Sequence, residues 1–221
     1  MVVLTTERLF LRRFELEDLE SLYALYRDPE IRKYYPDGTR TLMETKEELD
    51  WFIHGHPRYP ELGLWATVER STGEFLGRCG LLPWHIEGSD EIELAFRIKK
   101  ERWREGFATE AAHGIIKYAE QALGLRRLVC LIMPGNGSSA GVAKKVGMSS
   151  EREFQRLMFL CGTTHHCNNR VSCQPKATTT RWYKGIPTMT LNGNVTATTG
   201  AIARPKLAWG NATRIADGAA M

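Results

Sequence analysis

The chain has 221 residues, 43% hydrophobic, with a formal net charge of +4 at pH 7, which suits one domain carrying an extension. No apolar run approaches the roughly 18 residues a membrane helix needs, and the first residues lack the charged lead and apolar core of a signal peptide, so a cytoplasmic protein without a membrane partner is expected. The basic excess is local: residues 1–150 hold 21 Lys and Arg against 23 Asp and Glu, residues 151–221 hold 9 against 3, so whole-chain charge does not imply nucleic-acid binding.

Leu9–Phe14 reads as a first strand. From Asp18 a helical spacing runs through Leu19, Leu22, Tyr23, Leu25 and Tyr26, and Asp28-Pro29 ends it. Leu42–Ile53 is a second helix, acidic on one side and carrying Trp51 and Phe52. Gly63–Glu69 and Glu74–Leu82 are strands of a hairpin turning at Ser71-Thr72-Gly73. Ile92–Ile98 is a further strand. A helix follows from about Phe107 to Ala122, with Ala108, Ala111, Ala112, Ile115, Ile116 and Ala119 inward and Leu123-Gly124 as its cap. Leu128–Ile132 is a short apolar strand of the fully buried kind. Asn136–Val146 is a short helix closed by Gly147. Hairpins first and a strand–helix–strand unit later describe an α/β (α+β) domain over residues 1–155.

After Gln155 the composition changes. Asp217 is the one acidic residue from 154 to 221, and Thr, Gly, Ala and Arg dominate. No sustained helix or strand period is visible there. The segment 156–221 is an irregular basic extension, either disordered or an out-of-frame reading of the gene's end; the abrupt shift favours the second. Cys161, His165, His166, Cys167 and Cys173 are metal-ligating types, but Cys-x5-Cys-x5-Cys is not a standard zinc spacing, and no metal is expected. Cys79 and Cys130 lie in apolar strands as small buried hydrophobes, and no disulfide framework is expected. Asn194 and Asn211 head chance sequons in a chain without a secretory signal.

The densest signal is Glu93–Ala112. A strand runs into a basic loop, Gly106 turns it, and an amphipathic helix begins. N–H groups in a first helical turn lack intrahelical acceptors, and the helix dipole makes that end positive, so the order strand, glycine, helix suits a phosphate-bearing ligand. Lys99, Lys100, Arg102 and Arg104 would raise the local positive potential. One glycine after a strand is weak by itself, since an ordinary strand-to-helix turn with a solvated basic face has the same pattern.

Three blocks together carry more. Thr6–Arg12 with Asp28–Ile31, Glu93–Ile98 followed by Trp103–Ala111, and Asn136–Met148 resemble, in that order, the opening, the acetyl-CoA loop and the following signature of GNAT acetyltransferases. The branch resembled includes the ribosomal-protein N-terminal acetyltransferases. The resemblance covers roughly residues 4–155. It implies a mixed, mostly antiparallel sheet, flanked by helices, that splays open where acetyl-CoA enters.

It implies cofactor contacts from Phe96, Arg97, Ile98, Arg104, Glu105, Gly106, Phe107, Ala108, Thr109, Asn136 and Ser139. The backbone amides of 104–109 would hold the pyrophosphate, and Arg104 or Lys145 the 3′-phosphate. It also implies Glu93 as base for the acceptor amine, the alternative being a solvated edge-strand residue beside Asp90 and Glu91. Ser139 would contact the sulfur or pantetheine and Asn136 the pantetheine arm; both also fit a helix cap. Trp51, Phe52, Trp65 and Trp84 line an acceptor pocket or, more simply, fill the core.

The chain departs from the pattern at four places. Trp103 stands where the superfamily often has Gln or Arg, and Arg104 where this branch often has glycine. Ala143 replaces the Tyr that protonates the leaving thiolate in many relatives. The closing pair of strands has no clear counterpart beyond Phe154. Expected is acetyl transfer from acetyl-CoA to a primary amine, on a protein N-terminus or a small molecule, by a monomer or homodimer. The alternatives are a non-catalytic acyl-CoA-binding module and a protein that binds acidic partners through its basic tail.

Overall fold

The computed structural model describes residues 1–35, 37–86, 88–156 and 177–185. The described strands form one sheet in the order β1-β2-β3-β4-β5-β6-β8-β7. They are β1 (Val2–Thr5), β2 (Leu9–Arg12), β3 (Gly63–Glu69), β4 (Phe75–Ile86), β5 (Ser89–Ile98), β6 (Arg127–Ile132), β7 (Ser149–Arg156) and β8 (Ala177–Gly185). Neighbours pair antiparallel except β5 with β6. The mixed, splayed α/β sheet expected from the resemblance is the observed fold.

Helices cover both faces. On one, α1 (Leu19–Tyr26) and α3 (Leu42–His54) press Leu22, Leu25, Leu49 and Phe52 onto Leu64, Ala66 and Val68 of β3. On the other, α4 (Phe107–Gln121) buries Ala111, Ala112, Ile115, Ile116 and Ala119. Those residues fall at spacings of three and four, so one stripe faces the sheet. The alanines let helix and sheet approach closely.

Several elements escaped sequence reasoning. Asp28-Pro29 does more than end α1. The Asp28 carboxylate accepts from the N–H groups of Glu30 and Ile31, and Pro29 begins α2 (Pro29–Arg32). This is an N-cap followed by proline at the first helical position. β4 and β5 also run further than expected, pairing from Gly77↔Ile98 to Ile86↔Ser89. A closing strand exists: β8 lies inside the compositionally odd segment 156–221 and pairs with β6 on one side and β7 on the other. Its sequence, Thr-Thr-Thr-Arg-Trp-Tyr over 178–183, is rich in β-branched and aromatic residues that favour strands. It lacks the polar–apolar alternation that would have exposed it. Cys161 to Cys173 and both sequons lie outside the described residues, and no metal-binding cluster occurs among the described ones. No helix there is long and apolar enough to cross a membrane.

The parallel junction positions the site. β5 and β6 are paired at Glu93↔Val129 alone. Beyond it their carboxyl halves diverge, and the Cys130 thiol donates to the Leu94 carbonyl at 3.1 Å across the gap. Burial, then the nearby Glu93 charge, pushes this thiol well above its ordinary pKa. Cys130 is buried, and its thiol bridges the splay as a hydrogen-bond donor.

Candidate active site

A cavity of about 100 Å³ opens in that splay. Phe96 from β5, Ile132 at the end of β6, and Asn136 and Ser139 of α5 (Gly137–Lys145) form one side. Tyr34, Tyr35, Arg78, Trp84 and Glu93 contribute from the other direction. β5 thus supplies both walls, because alternate residues of a strand face opposite sides of the sheet.

Glu93 is half-buried in this cavity, and the Trp84 indole N–H donates to its Oε2 at 2.6 Å. Trp84 and Glu93 sit on neighbouring strands one register step apart diagonally, since Glu93 faces Leu82 and Trp84 faces Glu91. The bond fixes the carboxylate's orientation toward the cavity. Of the four aromatics weighed as pocket or core, Trp84 lines the cavity. Phe52 and Trp65 are core residues and Trp51 packs against the core.

Asn136 caps α5: its side-chain oxygen accepts from the Ser139 N–H at 3.1 Å. Capping and site membership coexist, for both residues also line the cavity. The cap leaves the Asn136 amide nitrogen a donor. Ala143 is fully buried on the same helix, so no phenol enters from α5. Two phenols enter from the loop after α2. Tyr34 donates to the Gly135 carbonyl at 2.9 Å and ties that loop to the turn before α5. Tyr35 stacks on Arg97, whose Cζ is 4.0 Å from the ring centroid. Burial alone would raise the Tyr35 pKa; the positive charges of Arg97 and Arg78 outweigh it and lower it.

The loop from Lys99 to Thr109 differs from its sequence expectation in charge, not in shape. Lys99 is held by Glu74. Lys100 pairs with Asp28 at 2.9 Å and Glu30 at 3.3 Å. Arg102 reaches Glu69 at 2.8 Å, Glu105 at 3.1 Å, and Glu74. Three of the four cations counted on for an anion site are neutralised. Arg104 alone has no ion pair among the described residues, and it is exposed. It also holds φ 68, the one non-glycine residue with positive φ among those described. That explains why glycine is common there in the branch resembled: the left-handed region costs a Cβ-bearing residue about 1–2 kcal/mol.

The shape is as expected. Gly106 sits at φ 87 as N-cap of α4, and the first-turn N–H groups of Phe107, Ala108 and Thr109 point out of the helix start. Phe107 is clamped between Arg8 and Arg102, with guanidinium carbons 4.4 and 4.8 Å from its ring centroid. Arg8 also donates to the Glu105 carbonyl at 3.0 Å. Beside this helix start lies an open groove of about 730 Å³ lined by Thr6, Arg8, Gly106, Thr109, His113 and Lys145, among others. Gly106 and Lys145, assigned respectively to the pyrophosphate and the 3′-phosphate, thus border one groove; Arg104 does not. Arg97 faces Tyr26 and Tyr35 with its side chain, so any contact with the cofactor is through its backbone. Ile98 uses its carbonyl to accept from the Trp103 indole at 2.7 Å.

Sequence reasoning missed Tyr34, Tyr35 and Arg78. For Arg78 a signal existed: it is the lone charge in the apolar run Phe75–Leu82. A charge inside a buried strand requires a reason.

Comparison with known proteins agrees with this geometry. Residues 8–149 match the acetyltransferase (GNAT) domain family. The chain is 32% identical over 154 residues to the YkkB protein of Bacillus subtilis (strain 168), covering 69% of this chain and 88% of that one. An acetyltransferase (GNAT family) from Bacillus anthracis superposes with a TM-score of 0.67 at 20% identity, over 84% of this chain and 98% of that one. RimL, a ribosomal L7/L12 alpha-N-protein acetyltransferase solved with coenzyme A, gives a TM-score of 0.63 at 12% identity, over 84% and 98%.

Proposed function

We propose that this chain, which belongs to the GNAT acetyltransferase family, transfers an acetyl group from acetyl-CoA to a primary amine held beside Glu93 in the splay between β5 and β6. The single observation that carries this reading is the parallel pair Glu93↔Val129. With it a carboxylate stands at the point where the sheet opens, on the wall of the cavity that Asn136 and Ser139 also line.

The residues fit the roles the chemistry demands. Acetyl-CoA supplies a thioester carbonyl and departs as a thiol. The amides of 104–109 are aligned at a helix start for the pyrophosphate, with Lys145 for the 3′-phosphate. The stretch Phe96–Ile98 of β5, beyond its pairing with β6, with the Asn136 amide opposite, suits the pantetheine arm. Glu93, oriented by Trp84, accepts the proton of the incoming ammonium directly or through water. Ser139 stands on the other wall as hydroxyl donor for the developing thiolate. Holding the two substrates together supplies much of the rate, so a serine in place of the family's tyrosine is compatible with turnover. In this reading the transferase proper is residues 1–155, with β8 completing its sheet.

The rival is a non-catalytic acyl-CoA-binding module, which Ala143 keeps open. Thiol release from acetyl-CoA with a panel of primary amines separates the two. The transferase releases thiol in proportion to acetylated amine; the module binds CoA and releases none.

A further inference from the structure

The face of the sheet toward α1 and α3 carries an unusual charge. Arg78 and Arg97 are directly opposed on β4 and β5, so their side chains share one face. They are 6% and 7% exposed. Neither forms an ion pair among the described residues, and Arg97 Nη1, Arg97 Nη2 and Arg78 Nε are buried without an acceptor. Nearby carboxylates are engaged elsewhere: Glu48 accepts from the Tyr26 hydroxyl at 3.0 Å and Glu93 from Trp84. A third guanidinium, Arg32, is buried alongside but satisfied by Asp37 and the Gly38 carbonyl, each at 2.6 Å. Its pKa is lowered, by burial first and by repulsion from Arg97 second.

Aromatic rings offset part of this. Arg78 and Arg97 lie 5.4 and 5.2 Å from the Tyr26 centroid, and Arg97 stacks on Tyr35. A buried cation–π contact contributes about 2 kcal/mol, whereas burying one ion costs several. Like charges directly opposite across a strand pair cost more still. The Tyr26 and Tyr35 hydroxyls lie beside Arg78 and Arg97, yet Arg78 Nε and both Arg97 Nη atoms meet no acceptor in hydrogen-bond geometry. Arg78 lines the cavity with Glu93, and Arg97 lies directly behind it in register; a buried guanidinium pair with N–H groups to spare, its front member on the cavity wall, offers a site to an oxyanion. The cavity volume of about 100 Å³ restricts the occupant to a small molecule.

Resting on the acetyl-transfer reading above, we propose that the acceptor is a small amine that also carries an oxyanion, carboxylate or phosphate, and that Arg78 and Arg97 hold this oxyanion while Glu93 faces the amine. The guanidinium fork matches both oxyanions in a bidentate manner, and such charge-assisted bonds are the strong ones.

The test compares matched amines with and without the oxyanion, using the full chain and thiol release from acetyl-CoA. γ-Aminobutyrate is set against its primary amide, and phosphoethanolamine against ethanolamine. The oxyanion member of at least one pair should show kcat/KM about fiftyfold higher, the scale of one or two charge-assisted hydrogen bonds. Which pair responds tells carboxylate from phosphate. Arg78→Gln should bring the ratio to within about threefold of unity, mostly through KM, with CoA affinity measured alongside to report an intact fold. Arg97→Lys keeps a charge but loses the planar fork, and should cut the ratio about tenfold. Equal kcat/KM within both pairs, or a ratio that survives Arg78→Gln, overturns the proposal. If no amine is acetylated, the transfer reading fails instead, and thermal shifts with CoA present decide this one. Stabilisation by γ-aminobutyrate or phosphoethanolamine but not by the neutral partner, lost in Arg78→Gln, supports it; no differential stabilisation overturns it.

Discussion

Two sets of cations, one in the loop after β5 and one on a face of β4 and β5, invert what a charge count suggests. The loop Lys99–Arg104 is densely basic in sequence, yet Lys99, Lys100 and Arg102 are each consumed by carboxylates from other segments. The sheet face beneath Tyr35 has two arginines well separated in sequence, and both are buried without an ion pair among the described residues. Positive charge signals an anion site only where pairing leaves it unspent. In the proposed reading, the loop binds through backbone amides and the conformation of Gly106, and the sheet face through side chains.

This contrast can be broken most forcefully at Gly106. Gly106→Glu puts a Cβ-bearing residue at φ 87, with Arg8 Nη2 3.4 Å from the new Cβ, and a negative charge at the helix start. CoA affinity by calorimetry should fall by about a hundredfold, because the added carboxylate sets bulk and like charge against the pyrophosphate at the helix start, and about 3 kcal/mol corresponds to that factor. Wild-type affinity in that variant would remove the loop from the site. Glu93→Gln should lower kcat by roughly a hundredfold, the usual scale for a general base, with the deficit shrinking at high pH as the amine loses its proton unaided. Full turnover across pH would relieve Glu93 of the role.

Smaller effects sharpen the comparison. Arg104→Gly should raise stability by about 1 kcal/mol by removing left-handed strain, read as a higher denaturant midpoint; no gain would mean the loop relaxes without it. Glu110 accepts from the Thr6 hydroxyl and from the Arg8 N–H and Nε. Burial would raise its pKa, but these bonds prevail and lower it. Its contribution is therefore present above the ordinary carboxylate pKa and lost as pH falls through the lowered one. Glu110→Gln should cost about 1 kcal/mol at pH 7, allowing for solvent screening, and almost nothing once Glu110 is protonated in both states. A loss independent of pH would assign the effect to packing. Lys100→Ala, smallest of all, should change CoA affinity by less than about twofold, because that ammonium already faces Asp28 and Glu30. A tenfold loss would show that the loop's paired charges still matter.

What sequence could show follows the same division. The geometry of the proposed cofactor side was legible because it is built locally: a strand, Gly106 and α4 are contiguous, and Asn136 to Ser139 form a cap within four residues. The acceptor side was not, because it is assembled across the chain. Tyr34 and Tyr35 come from the loop after α2, Arg78 from β4 and Arg97 from β5, and only the Arg78↔Arg97 register brings them together. Ion pairing of the loop was hidden for the same reason, since Glu69, Glu74, Asp28 and Glu30 reach it from up to about seventy residues away. β8 was missed because Thr178 to Tyr183 lacks an alternating pattern in a segment of unusual composition.

The most direct measurement is single-turnover thiol release from acetyl-CoA by the full chain across a panel of primary amines, with the acetylated product quantified in parallel. Acetyl transfer predicts thiol and acetyl-amine in equal amounts, with both abolished in Gly106→Glu at the same CoA concentration. Thiol release no faster than spontaneous hydrolysis for every amine, with CoA bound, would contradict it.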